Sequence, residues 1–367
     1  MNKKIRALGM GAVIGIWLVL TVLVWLTPTK AVSEAERRPL AQFPALNAGA
    51  FLSGKFMTEF EDYTLDQFPA RDAFRQLKSL FHYYVLGQKD NNGIYITDGY
   101  AVQQEYPLNT ESVSYATGRF QHIYEKYLQG AGSNVYAAII PDKGYYLAEE
   151  SGHLSMDYEA LFSQVEMQMP FAEFIDITGN LNKGSYYYTD THWRQEKLLP
   201  VAQTICNAME MAVPKQEEFT ASKLQRPFYG VYYGQAALPL QPEGMYILQS
   251  DRLNSCRVYD FETGDYREIY DMEKLDSKDL YDVYLSGARS LLRIENPGAN
   301  TDRELIIFRD SFGSAVAPLL VSEYKTVTLV DVRYISSELL DRYLEFKGQD
   351  VLFLYSTLVM NNGTTIK

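Results

Sequence analysis

Ala7 to Leu26, ALGMGAVIGIWLVLTVLVWL, carries no charged side chain, whereas Lys3, Lys4 and Arg6 precede it and Pro28 closes it. As a helix rising about 1.5 Å per residue, such a stretch matches the roughly 30 Å hydrocarbon core of a bilayer. The basic flank makes residues 1–6 a cytoplasmic tail and 7–27 a transmembrane anchor, with everything after residue 28 outside the membrane. A cleaved signal peptide is the other reading, with Ala31-Val32-Ser33 as the cleavage site, although signal h-regions usually run only about 7 to 15 residues.

Beyond the anchor, SEAERRPLAQFP (33–44) reads as an extended polar connector. Phe56, Phe60 and Tyr63, then Phe74, Leu77, Leu80 and Phe81, recur at helical spacing and predict two helices broken at Phe68-Pro69, so that 28–85 is connector and helices. GIYITDGYAVQ alternates as a hairpin with Asp98-Gly99 at its turn. A helix over 112–128 leads to NVYAAIIPDKG, an apolar, β-branched run of the kind buried inside a parallel sheet. FIDIT and YYYT are shorter strand candidates. Leu198, Ala202, Ile205 and Met209 predict a helix that either starts with Pro200 in its first turn or kinks there.

The alternation is clearer toward the end of the chain. Leu305 to Phe308 predicts a buried strand, followed by a sharp turn and a helix with Ala315, Leu319 and Leu320 on one face. TVTLVDVRYI predicts another strand, SSELLDRYLEFKG a helix capped by Ser336 or Ser337, and DVLFLYS a last strand. Strand, helix, strand, helix, strand with short links describes an α/β sheet with right-handed crossovers, here spanning 86–367. The stretch 214–300 is rich in Tyr, Gly and Pro and reads as an insertion of small strands and loops beside the site.

Charge and cysteine content narrow the chemistry. The net charge is −12, and no acid balances the three N-terminal bases before residue 28, so the outer part is more acidic still. A nucleic-acid partner, which needs a basic face, is excluded. Cys206 and Cys256 are the only cysteines, enough for one disulfide but not for a disulfide scaffold, and Cys206 beside an apolar helical stripe reads as a buried thiol. No CxxC, HxH or HExxH occurs, so no metal site is expected. Tyrosines number 29, which suits sugar-binding rims, although most tyrosines serve as core and strand residues.

In YYYTDTHWRQ, Asp190 stands two residues before His192, a spacing that no acid keeps with His82, His122 or His153. Ser311 follows a predicted strand and opens a turn, so its hydroxyl stands at a carboxyl end of the sheet, where ligands of such folds bind. The amides of Ser311 and Gly313 are candidate oxyanion donors. A serine needs a base and the base needs an orienting group, and Ser311, His192 and Asp190 supply all three. Each motif has a plainer reading, an N-capping aspartate with a packed histidine, or a tight turn before a helix. Arg333, after VTLVDV, is a candidate contact for an anionic sugar or donor, or else an ion-pair partner of Asp331.

YYYTDTHWRQEKLLPVAQTI together with FRDSFGSAVAPLL resembles the SGNH hydrolase-like domain of the alginate O-acetyltransferase type, and especially the DHHW proteins of Gram-positive bacteria. The likeness extends to ERRPLAQFP, FEDYTLDQFPARDAFRQL, IIPDKGYYL, FYGVYYG, LYDVYLSG and VDVRYI, nearly the whole chain. It implies an α/β, flavodoxin-like, mostly parallel sheet flanked by helices, with Ser311 as nucleophile, His192 as base and Asp190 as orienting acid. Thr191 stands where the family has its first DHHW histidine. The order, Asp-His before Ser, is permuted relative to ordinary SGNH esterases, and their glycine and asparagine oxyanion donors have no assigned counterpart. The resemblance further implies O-acetyl transfer to a cell-surface polysaccharide, a multi-pass membrane O-acyltransferase as acyl donor, and no cofactor. A carbohydrate esterase with the same three residues, and a non-catalytic envelope scaffold or glycan-binding protein, are the alternatives.

Overall fold

The computed structural model describes residues 3–367. The first two residues of the expected cytoplasmic tail lie outside them. The chain divides into two compact units, one reaching to Asn92 and taking in Tyr233–Pro239, the other formed by Gly93–Tyr232 and Leu240–Lys367.

In the first unit α1 (Lys3–Leu26) is a single apolar helix, compatible with a membrane anchor or a signal sequence. It is the one helix among the described residues long and apolar enough to cross a bilayer. Helices α2 (Lys55–Asp66) and α3 (Arg71–Leu80) break at Phe68-Pro69 as the periodicity predicts. Phe43 meets Phe56, Phe60 and Tyr63 edge-on, a small aromatic cluster beside α2. Asp66 accepts the Arg38 guanidinium at 2.6 and 2.9 Å, and Glu36 receives Arg71 and Arg75. Gly234 admits no side chain, because a Cβ there would lie 1.7 Å from the Ala35 carbonyl oxygen. The periodic residues Phe74, Leu77 and Phe81 are exposed.

The second unit opens with a hairpin of β1 (Ile94–Thr97) and β2 (Tyr100–Gln103), whose two turn residues Asp98 and Gly99 both take positive φ, 48° and 83°. That is the backbone a tight two-residue hairpin requires. Then come α4 (Thr110–Ile123), with the Asn109 side chain accepting from Ser112 N, β3 (Val135–Ile140), α5 (Tyr158–Gln168), β4 (Glu173–Phe174) and α6 (Leu199–Ala208) with Pro200 in its first turn. The remaining sheet strands are β5 (Arg257–Asp260), β6 (Asp265–Arg267), β7 (Leu291–Glu295), β8 (Glu304–Arg309), β9 (Thr326–Val330) and β10 (Asp350–Ser356). Their order is β6-β5-β7-β9-β8-β10-β3-β4. The five strands from β9 to β4 run parallel, and β7, β5 and β6 extend the β9 edge antiparallel.

Both faces of the parallel part are covered. Leu305, Ile307, Leu352 and Leu354 pack with Val201 and Ile205 of α6 on one side, and Ile306, Phe308, Val351 and Phe353 with Phe120 and Leu161 on the other. Coverage on both faces is why these strands read as unbroken apolar runs.

Several expectations need correction. The stretch 214–300 supplies three strands of the main sheet. YYYT forms no strand, only a bridge from Tyr186 to Trp193, and of FIDIT only Phe174 pairs in the sheet. SSELLDRYLEFKG gives a 3-10 turn, Ser337–Arg342, capped by Ser336. The helix after Ser311 is one α-turn, α7 (Gly313–Val316), passing at once into the 3-10 turn Ala317–Leu320, where Pro318 has no N–H to continue it.

The parallel registers align Phe308 with Val330, Arg309 with Leu354 and Ser356 with Ile140. Four chain turns therefore leave the sheet along one edge: Asp310-Ser311, Asp331, Ser356-Thr357 and Asp142-Lys143.

Candidate active site

The turn after β8 is braced by the aspartate before the serine. Asp310 Oδ1 accepts Phe312 N at 3.0 Å, and its Oδ2 accepts Ser356 N at 2.8 Å and Ser356 Oγ at 2.6 Å, tying the turn to the end of β10. Gly313 is needed because a Cβ there would stand 2.7 Å from Arg309 Cβ. The Ser311 amide has no hydrogen-bond partner among the described residues. The Gly313 amide, expected beside it as an oxyanion donor, is turned inward and donates to Asp310 O at 3.1 Å.

Across the edge, Ser311 Oγ lies 2.8 Å from His192 Nε2, and His192 Nδ1 lies 2.6 Å from Asp190 Oδ1. Asp190 is wholly buried, and its carboxylate also accepts His192 N at 3.1 Å and Val231 N at 2.8 Å. With that many donors around it, the carboxylate can hold the imidazole in one orientation. Gly230 makes the Val231 contact feasible, since a Cβ at 230 would fall 2.3 Å from Asp190 Cα. The other face of the imidazole is covered by the ring of Tyr281. Two side chains following the histidine grip the serine turn: Trp193 Nε1 donates to Phe312 O at 3.0 Å and Gln195 Nε2 to Ala315 O at 2.8 Å. Thr191 accepts a hydrogen bond from the Tyr232 hydroxyl at 3.1 Å.

Lys143 lies beneath this loop, fully buried. Its Nζ donates to the carbonyls of Tyr187, Tyr188 and Asp190 at 2.9, 3.2 and 2.7 Å. Burial pulls the amine down to about 7, against the opposing pull of Asp190, Glu243 and Asp142. The neighbouring Asp142 is pushed up by its own burial, although Thr357, Tyr158 and the Gly144 amide all donate to it.

Arg333 takes the ion-pair course: its Nε and Nη2 fork onto Asp331 at 2.8 and 2.6 Å, and its amide donates to the same carboxylate at 3.1 Å. Cys206 and Cys256 are both buried and free, and burial raises their thiols to about 12 and about 11.

Of the residues singled out in the sequence, Asp190, His192 and Ser311 come together within hydrogen-bond distance. Gly313 serves the turn and Arg333 is held by Asp331. Lys143, Tyr281, Gly230, Trp193 and Gln195 escaped the sequence reading as site residues. Lys143 had a signal, its place just after an apolar strand in IIPDKG. A serine hydroxyl on one imidazole nitrogen, with a buried carboxylate on the other, can lose its proton to the ring and act as a nucleophile.

A mostly parallel sheet covered by helices is an SGNH hydrolase-like fold, and these three groups stand at its carboxyl edge. Residues 173–330 match the family described as DHHW protein, in agreement with the motif resemblance. Similar structures include a DHHW family protein from Eubacterium siraeum, 19% identical with a TM-score of 0.60, the match covering 74% of this chain and 93% of that one. Bacillus cereus PatB1 is 17% identical with a TM-score of 0.59, covering 73% of this chain and 96% of its own. PatB1 with a sulfonyl adduct gives 16% and 0.57, covering 73% and 97%. At such identities the likeness is one of fold. A comparison with curated proteins finds no match.

Proposed function

We propose that this chain is a membrane-anchored, extracytoplasmic O-acyltransferase, transferring acetyl groups to a cell-surface polysaccharide through Ser311, His192 and Asp190. The observation that carries the reading is the series Asp190 Oδ1, His192, Ser311 Oγ, joined at 2.6 and 2.8 Å.

In this reading His192 Nε2 takes the Ser311 proton while Oγ attacks the acyl carbonyl of the donor. The tetrahedral intermediate places its oxyanion toward the unpartnered Ser311 amide. His192 returns the proton to the leaving group, which leaves an acyl-serine. A sugar hydroxyl then gives its proton to His192 and attacks the same carbonyl, and collapse restores Ser311. Asp190 fixes the imidazole and stabilises its cation throughout. Transfer to a sugar requires exclusion of water, and the burial of His192 against Tyr281 supports that requirement. Arg333 Nη1, outside the fork on Asp331, is the proposed contact for an anionic group on acceptor or donor. The donor proposed is a multi-pass membrane O-acyltransferase, which the anchor would hold in the same bilayer.

The test is covalent trapping followed by turnover. PatB1 was determined with a sulfonyl adduct, so a sulfonyl fluoride is the matching probe. The expected result is one sulfonyl group on Ser311. With an acetyl ester, the expected result is an acetyl group on Ser311 that passes to an added oligosaccharide. Modification elsewhere only, or undiminished turnover in Ser311→Ala, would sink the reading. Hydrolysis with no product on any sugar would favour the esterase.

A further inference from the structure

Helix α3 is amphipathic the wrong way round for a protein surrounded by water. Its packed side carries Arg71, Arg75 and Ser79: Arg71 reaches Glu36, Arg75 Nη2 donates to Gly234 O and Gln235 O at 3.0 and 3.1 Å, and Ser79 Oγ accepts Asn91 Nδ2 at 2.7 Å. Its outward side, continued by the wider turn Phe81–Val85, carries Leu77 at 63% exposure, Phe81 at 48%, Tyr84 at 78% and Val85 at 67%. A surface helix ordinarily turns its apolar stripe to the core, and a contiguous exposed stripe marks something apolar that covers it.

A second observation says what is nearby. Lys30 N donates to Gln67 Oε1 at 2.8 Å, and Gln67 Nε2 donates back to Lys30 O at 2.9 Å and to Ala41 O at 2.9 Å. The chain four residues past Leu26, the end of α1, is thereby tied to the residue that closes α2, and Arg71 opens α3 four residues further on. At about 3.5 Å per residue, Lys30 stands within roughly 14 Å of the end of α1. The headgroup layer beyond the hydrocarbon core is itself roughly 5–8 Å deep per leaflet. If α1 spans a bilayer, each molecule carries lipid headgroups to the α2–α3 corner, whereas a protein partner would have to be recruited.

We propose that Leu77, Phe81, Tyr84 and Val85 rest in the interfacial layer of the membrane that holds α1, so that α3 lies on the bilayer as a second, peripheral contact. Aromatic rings with one polar end suit that layer, and Lys78 beside the stripe can reach the phosphates. The proposal rests on α1 being a retained anchor and is independent of the chemistry at Ser311.

The test uses the full chain in vesicles of phosphatidylethanolamine and phosphatidylglycerol, with an environment-sensitive fluorophore on single cysteines. Leu77→Cys and Phe81→Cys report the stripe, Gln76→Cys the flank of the same helix, and Trp25→Cys the anchor. Cys206 and Cys256 are buried and stay unlabelled. The expected result is blue-shifted emission at 77 and 81, lost on adding doxyl-labelled lipid, with water-like, unquenched emission at 76. Water-like emission at 77 and 81 while 25 is quenched overturns the proposal and leaves the anchor standing. An unquenched label at 25 overturns the anchor reading and the proposal with it. Blue-shifted labels at 77 and 81 that lipid does not quench assign the stripe to a protein partner or a second copy, against the proposal.

Discussion

The ring of Tyr281 lies 3.8 Å from that of His192 and within 8° of parallel. It stacks on the imidazole while Asp190 and Ser311 hold its two nitrogens in plane. A stacked pair contributes about 0.5–1.5 kcal/mol beyond its burial. Since 1.36 kcal/mol is tenfold in rate, Tyr281→Leu should lower kcat by roughly two- to twelvefold, and Tyr281→Phe should keep it near the parent value. Equal losses in both variants would show that the hydroxyl, not the ring face, is what matters.

Ser311, His192 and Asp190 should behave as one device. Ser311→Ala and His192→Ala should each abolish nearly all turnover of an acetyl ester, and the double variant should lose no more. Asp190→Asn can still accept from Val231 N but presents a donor to His192 Nδ1, so the imidazole is held in the wrong tautomer. A fall on the order of 10⁴-fold in kcat, with the melting transition retained, is expected. Steady-state kinetics beside circular dichroism melts decide it.

Burial holds Lys143 at about 7, well below the ~10.4 of an exposed lysine. Between those two values the unfolded chain binds a proton that the folded chain does not. Stability should therefore rise with pH across that window, the cost of burying the charge being present in full below 7. Lys143→Met should lose this rise, so its urea midpoint should gain less between pH 7 and 9 than the parent's. It should also lose activity, because three carbonyls of the Asp190 loop are left without their donor.

Gly230→Ala would push a methyl carbon to 2.3 Å from Asp190 Cα. Backbone there cannot yield as a side-chain tip can, so a destabilisation of about 1–3 kcal/mol is expected. The Val231 N–H bond to Asp190 should be lost with it, and kcat should fall more than KM changes. Denaturant titration and kinetics on the same preparation check both.

In the first unit, the Arg38 guanidinium holds Asp66 down at about 2, below the ~3.9 of an unfolded aspartate. Its contribution to stability is present above pH 4 and lost as pH falls from about 4 to about 2. Asp66→Asn should be less stable near neutrality and should converge on the parent at the acid end, as read by thermal melts over that range.

Much of this was legible in the sequence. Apolar runs marked β3, β8, β9 and β10 because a doubly covered sheet leaves their middles few polar positions, and the Asp98-Gly99 turn announced its hairpin. Asp190, His192 and Ser311 stood out as candidates because spacing and a strand end are local signals. What stayed hidden depends on distant partners. Strands β5 and β6 mix Arg257, Tyr259, Asp265 and Arg267 with few apolar residues, as an edge does, and β7 is only five residues long, so the stretch looked like an insertion. A lysine such as Lys143 reads as surface unless the three carbonyls above it are known, and Tyr281 is one tyrosine among 29. For α3 the periodicity grouped Phe74, Leu77 and Phe81 correctly. Spacing says which residues share a face, not which way the face turns.

The grip of Trp193 and Gln195 on Phe312 and Ala315 joins two segments that leave the ribosome far apart in time. His192 precedes Ser311 by 119 residues, roughly 6–24 s of synthesis at about 5–20 residues per second. Throughout that interval the nascent chain holds a histidine and an aspartate with no hydroxyl to activate. In the sheet β8 and β10 lie between β9 and β3, and β10, whose Ser356 braces the Asp310 turn, is the last of the four to be made. In the proposed reading the site is therefore complete only when the sheet closes, so esterase activity would serve as a readout of complete folding.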